Sequence, residues 1–241
     1  MVEFGLTGTG DVAKDMPENS VLVAPGGVGY AVRTVDGVER YAQRTLRSGD
    51  AAPVVGLLPG SRRGEIKRLL PAMLQAAALL AERMPAVQFI LPQADTVKDA
   101  MLAPYLAAAA VPVRVVPGRT YDVLQCCDAV VTCSGTATLE TALMGVPMVI
   151  VYKLAEPSYW LGRMLVQVPH IGLPNIIAGR GIVPELIQHA ANPPAIADAV
   201  QRLLTDAGYS ATMRRDLAEV KARLGEGGGS AVMAELALEL L

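Results

Sequence analysis

From Ala52 onward, short apolar runs alternate with longer segments whose apolar positions recur every three or four residues. Val54-Val-Gly-Leu-Leu58 is apolar without alternation, as a parallel strand covered on both faces is. Ile66, Leu69, Leu70, Met73, Leu74, Ala77 and Leu80 then form one stripe, which predicts a helix from Ile66 to about Met84. Pro71 lies within it and is expected to kink the helix or mark its true start. The same reading predicts strands at Val87–Leu91, Val113–Val116, around Val130-Val131 and at Pro147–Tyr152. Helices are expected between them at Asp95–Ala109, Tyr121–Cys127 and Thr136–Met144, the last stopped by Gly145 and Pro147. Strand and helix in turn predict an α/β fold, a Rossmann-like doubly wound parallel sheet.

The flanks carry weaker patterns. Residues 1–50 form an unassigned N-terminal segment, with a hairpin expected within Leu22–Val38, a polar helix at Val38–Arg47 and a linker at Ser48-Gly-Asp50. Gly5–Asp11 and Pro25–Gly29 look like phosphate loops, but neither opens a periodic helix, so both are read as turns. Residues 51–241 form the sheet domain with C-terminal helices. Beyond the sheet, Pro157–Val168 is a helix candidate carrying Tyr159, Trp160, Leu161 and Met164, a stripe read as core ahead of membrane contact. His170–Gly181 reads as a loop, and Pro184–Ala190, Pro194–Asp206, Ser210–Leu224 and Ser230–Leu241 as helices.

Composition narrows the function. At 241 residues, with 52% hydrophobic and 18% charged positions and a net charge of −2, the chain is globular in type and not a general nucleic-acid binder. Cys126, Cys127 and Cys133 lack metal-ligand spacing and suit reduced, buried thiols, and His170 and His189 have no ligand partner, so no metal is expected. No apolar run is long enough to span a bilayer and the N-terminus has no signal-peptide pattern, which points to the cytoplasm.

In a doubly wound sheet, ligands bind beyond the carboxyl ends of the strands. Three loops fall there: Pro59–Glu65, Pro117–Tyr121 and Cys133–Thr136. Ser134-Gly-Thr136 can bring a phosphate onto free N–H groups and the positive end of a helix dipole. Alternatively, Ser134 or Thr136 merely caps the helix. Glu140, about one turn in, can accept hydrogen bonds from a ribose diol. Ser61-Arg-Arg-Gly-Glu65 places Arg62, suited to bidentate phosphate contact, at another helix start. The alternative is a solvated face of Arg62, Arg63, Lys67 and Arg68, with Glu65 paired to one of them. For Pro117–Tyr121, a contact to a base edge and a plain loop stand level.

Several motifs together carry a family resemblance. Leu58-Pro-Gly-Ser-Arg-Arg-Gly-Glu-Ile66, Thr132–Glu140, Gly145–Tyr152, Tyr159-Trp160, Leu173-Pro-Asn175 and Val183–Gln188 resemble, in the same order, the lipid-A-disaccharide synthases, from about Ala52 to the C-terminus. The resemblance implies the C-terminal half of a GT-B glycosyltransferase of lipid A biosynthesis. Such an enzyme transfers 2,3-diacylglucosamine from UDP-2,3-diacylglucosamine to 2,3-diacylglucosamine 1-phosphate and releases UDP, with no cofactor and no metal at the transfer step. It further implies that Ser134, Gly135 and Thr136 face the diphosphate, and that Ser61 and Arg62 approach it, with Arg62 stabilising the leaving group. Glu140 then meets the ribose, Gly118 and Tyr121 lie near uracil, and Asn175 lies in the donor pocket. The family's Gly-Glu-Ala-Ser-Gly-Asp turn has no match in residues 1–50, so the acceptor site and general base are expected to be missing and no base is named. The resemblance also implies a homodimer through exchanged C-terminal helices and peripheral association with the cytoplasmic face of the inner membrane. The alternatives are a UDP-binding module without transfer, or another UDP-sugar enzyme of the same fold such as an epimerase.

Overall fold

The computed structural model describes residues 52–154 and 169–225, and two short strands upstream, 21–23 and 30–32. The helices expected at Val38–Arg47, Pro157–Val168 and Ser230–Leu241 lie outside the described residues. Val21–Val23 (β1) pairs antiparallel with Tyr30–Val32 (β2), close to the hairpin expected there.

Val54–Leu58 (β3) is buried at all five positions, because it runs through the middle of a sheet covered on both faces. Arg63–Arg83 (α1) follows, then Gln88–Gln93 (β4), Asp99–Ala107 (α2), Val113–Pro117 (β5), Thr120–Cys126 (α3), Ala129–Cys133 (β6), Thr136–Leu143 (α4) and Met148–Tyr152 (β7). Six parallel strands stand in the order β5-β4-β3-β6-β7-β8, where β8 is Glu185–Ile187. The chain thus builds outward from β3 to β5, returns to the other side of β3 for β6, and builds outward again. This is the doubly wound order, with its switch point between β3 and β6.

The stripe read from the sequence is the buried face of α1: Ile66, Leu69, Leu70, Met73, Leu74, Ala77 and Leu80 are all buried. The helix begins at Arg63, so Pro71 sits in its interior and does not mark its start. Cys126, Cys127 and Cys133 are buried thiols outside any disulfide, as expected of small apolar side chains.

Two expectations are corrected. Pro184–Ala190 is not a helix: Glu185–Ile187 joins the sheet, with Ile150 opposite Glu185 and Tyr152 opposite Ile187, and only Gln188–Ala190 turns, as a 3₁₀ helix. Three residues are too few for a periodic signature, and the open edge of β7 decided their pairing. The loop expected at His170–Gly181 contains a short helix, Leu173–Ala178 (α5). Pro174 lies in its first turn, where a missing N–H costs nothing, and Gly179 closes it with φ of 70°.

Pro193–Thr205 (α6) packs on α1, β6 and β7, and Ala207–Leu224 (α7) packs against α4, α5 and α6. Asn192 and Asp206 cap these two helices by accepting from Ala195 and Tyr209 N–H. Arg180, in the turn after α5, donates to Asp216 and Glu219 of α7 at 2.8 and 3.1 Å. The Arg180 guanidinium holds the Asp216 carboxyl below its usual range. A depressed carboxylate contributes stability that is complete above its unfolded value and is lost as pH falls through the folded one. Asp216→Asn should therefore lower the denaturation midpoint at neutral pH and narrow its gap to wild type near pH 3. Chemical denaturation at the two pH values measures this, and a gap independent of pH would discount the pair.

Candidate functional site

The parallel register sets Leu58 beside Thr132, so β3 and β6 end together and their connecting loops flank one crevice of about 470 Å³. One wall is the β3–α1 loop, with Pro59, Gly60, Ser61, Arg62 and Glu65. The other is the β6–α4 turn, with Cys133, Ser134, Gly135, Thr136 and Ala137, and Glu140 one turn further along. Thr120 of the β5–α3 connection, Pro92 and Ala94 complete it.

Gly135 is the residue that opens α4, with φ of 154° and ψ of −164°, a conformation open to glycine and almost nothing else. A Cβ built there would meet nothing within 4 Å, so the backbone requires glycine while the space beside it stays open. Among the described residues no side chain caps α4. The Ser134 hydroxyl donates to the Ile171 carbonyl at 3.1 Å, and the Thr138 hydroxyl donates to the Gly135 carbonyl at 2.7 Å. Neither Ser134 nor Thr136 makes a capping hydrogen bond among the described residues; Thr136 and Ala137 of the first turn of α4 line the crevice, so the positive end of the helix dipole lies at its wall.

The opposite wall is built differently. The Glu65 carboxylate accepts from the N–H groups of Ser61 at 3.2 Å and Arg62 at 3.1 Å. It also accepts from Arg62 Nη1 at 3.0 Å. Gly60 takes a φ of 102°, and a Cβ there would strike Glu65 itself, so the loop folds down onto this carboxylate. The Arg62 side chain remains 84% exposed at the crevice edge, with its guanidinium held by Glu65. Arg63, Lys67 and Arg68 are exposed outside the crevice lining, as the solvated-face reading has them. The pair foreseen for Glu65 is made with Arg62.

Cys133 lies on the floor. Burial first, and the nearby Glu65 carboxylate second, push its thiol up to about 12, so it is neutral and unreactive at physiological pH.

Of the residues expected at the site, Ser61, Arg62, Ser134, Gly135, Thr136 and Glu140 line one crevice. Gly118 and Tyr121 do not line it, although Thr120 between them does. Gly118 has φ of 66° and donates to the Gln93 carbonyl, while Tyr121 stands 53% exposed beside the opening loop. Asn175 does not line it either. It is buried, and its amide donates to the Val183 carbonyl and Glu185 carboxylate and accepts from the Ile182 and Val183 N–H groups. With four internal bonds made, it braces α5 against the β8 connection instead of presenting a group to a ligand. Glu65 is the residue that the sequence reading left out of the site. Its spacing, three positions after the loop residue that starts the helix, is that of a capping box and was the available signal.

Asn175→Ala would leave two buried N–H groups and a carboxylate under-satisfied, and should destabilise the fold by about 3 kcal/mol or more. Denaturation measures it, and unchanged stability with weakened ligand binding would return Asn175 to the pocket.

Comparison with known proteins agrees with this geometry. Residues 35–237 match the family described as lipid-A-disaccharide synthetase, a match that starts upstream of Ala52, where the motifs begin. The lipid-A-disaccharide synthase of Geobacter sulfurreducens is 52% identical over 78% of this chain and 49% of its own length. That of Nitrosococcus oceani is 50% identical over 78% and 48%. The chain spans about half the length of these curated relatives. Among solved structures, the UDP-GlcNAc 2-epimerase of Neisseria meningitidis bound to UDP-GlcNAc has a TM-score of 0.56 at 14% identity, covering 85% of this chain and 50% of that one. A spinosyn rhamnosyltransferase complexed with spinosyn aglycone has a TM-score of 0.51 at 18% identity, covering 83% and 50%. These likenesses show the Rossmann-like α/β fold, and the family match over most of the sequence shows that the chain belongs to the lipid-A-disaccharide synthase family.

Proposed function

We propose that this chain is the donor-binding half of a lipid-A-disaccharide synthase, a UDP-dependent glycosyltransferase. Its donor is UDP-2,3-diacylglucosamine and its acceptor 2,3-diacylglucosamine 1-phosphate. The observation that carries the reading is the uncapped α4 N-terminus opening onto the same crevice as Arg62. The diphosphate accepts from the main-chain amides around Gly135 and Thr136, where the helix dipole favours negative charge. Glu140 accepts from the ribose hydroxyls, and the base lies towards Gly118 and Tyr121. When the bond from sugar C1 to the diphosphate oxygen breaks, negative charge grows on UDP. Arg62 and the oriented amides are then worth more than in the ground state, which is how they lower the barrier.

The acceptor hydroxyl must lose a proton as it attacks, and the crevice offers no uncommitted base for it. Glu65 is bound to its own loop, and Glu140 is assigned to the ribose. Activation of the acceptor is therefore a task for the part of the enzyme that this chain does not span. A second reading is a module that binds UDP and transfers nothing, which would fit a crevice whose two carboxylates are already committed. Among the described residues no helix is long and apolar enough to cross a membrane. Since both substrates carry acyl chains, we place the working enzyme at the cytoplasmic face of the inner membrane, as a homodimer through its C-terminal helices.

Titration calorimetry with UDP tests the shared claim, and absence of binding to native protein sinks it. Arg62→Ala should weaken UDP binding by about 1.5–3 kcal/mol, the range of a hydrogen bond to a charged group. Gly135→Val, which fills the open space beside the turn, should abolish binding while circular dichroism keeps its helical signal. Retained affinity in that variant would mean the phosphates lie elsewhere. Turnover of the two acylated glucosamines by this chain separates the enzyme from the binding module.

A further inference from the structure

A carboxylate beside a diphosphate is an electrostatic liability, so Glu65 calls for a reason. Its two oxygens take the Ser61 and Arg62 N–H groups and the Arg62 guanidinium, at 3.0 to 3.2 Å. Three consequences follow from that geometry. The Ser61 and Arg62 N–H groups just before the α1 N-terminus are satisfied internally, and the negative charge of Glu65 in the first turn offsets the α1 dipole and disfavours an anion there. The uncapped N-terminus of α4, across the crevice, is left as the seat. The Arg62 side chain, which would otherwise sample many rotamers at a solvent-exposed loop, is tethered at the crevice mouth. Arg62 and Glu65 line the same crevice as Cys133, so both charges lie near the end of β6.

We propose that Glu65 is a positioning residue of the donor site: it shapes the β3–α1 loop and holds Arg62 where it can close on a nucleoside diphosphate, while denying the α1 N-terminus to that anion. The proposal rests on the reading of the crevice as a diphosphate site, and its test keeps the two apart. UDP and uridine are titrated into the full chain and into Glu65→Ala, Glu65→Gln, Arg62→Ala and the Arg62→Ala/Glu65→Ala double variant, with thermal melts for each. Glu65→Ala should lose about tenfold or more in UDP affinity, the scale of one charge-assisted hydrogen bond. Uridine, which has no phosphates, should lose less than about twofold, because its contacts do not pass through Arg62. In the Arg62→Ala background the further loss should shrink to about threefold or less, the mark of a residue acting through its neighbour. Glu65→Gln, which keeps an acceptor but no charge, should fall between wild type and Glu65→Ala. A merely structural residue would lower the melting temperature and weaken both ligands equally in either background, and that pattern overturns the proposal. Tighter UDP binding by Glu65→Gln overturns it as well, since Glu65 would then act as a repelling charge. If the unmodified chain binds no UDP, the site reading itself falls and takes the proposal with it. If it binds UDP and Glu65→Ala stays within about twofold, only the proposal falls.

Discussion

The arrangement depends on two parallel strands that are far apart in sequence ending side by side. β3 and β6 are paired from Val55 opposite Ala129 to Leu58 opposite Thr132. At the far end of the pair, Asp128 accepts from the Val54 N–H at 2.7 Å, which fixes the register before the ladder begins. A slip of one residue would turn every side chain of a fully buried strand to the other face, so the core of Val54, Leu57, Val130 and Val131 holds the register as firmly as the hydrogen bonds do. Because the chain reverses its direction of growth at this point, the loops after β3 and β6 part from each other and leave a crevice.

Two helices begin at that crevice, and their N-termini are treated oppositely. At α1 a carboxylate from the first turn accepts from the two loop N–H groups that precede the helix, whereas α4 starts at a glycine and has no acidic residue in its first turn. The asymmetry gives the site a polarity. An exposed cation, Arg62, stands at one wall, and fixed partial positive charge lies along the other. The anion proposed to bind between them would be held from both sides, while the neutral thiol of Cys133 adds no competing charge beneath it.

The edge of the sheet is tied to the site by a second carboxylate. Glu185 of β8 accepts from the Ile171 and Gly172 N–H groups at 3.0 Å and from Asn175 at 2.7 Å. Ile171 in turn accepts the Ser134 hydroxyl. A Cβ on Gly172 would displace the end of the buried Ile150 side chain, so glycine suits the close approach of this segment to β7. A short edge strand and a six-residue helix thereby brace the turn at Gly135, although neither touches the crevice.

By itself, the sequence determined the alternation of strand and helix through residue 152, the buried stripe of α1, and the loops that gather at the carboxyl ends of the strands. Those signals are local: periodicity, a glycine at a turn, an arginine at a helix start. The order of motifs was also specific enough to indicate the family. Tertiary structure alone decided what depended on distant partners. Glu185–Ile187 became a strand because β7 offered an unpaired edge, and Asn175 became a brace because Val183 and Glu185 surrounded its amide. Glu65 looked like one charge among several on a solvated helix face. Only the fold of the loop over Gly60 showed that this carboxylate holds the N–H groups of the residues just before it, since a hydrogen bond needs direction and distance, and residue spacing supplies neither.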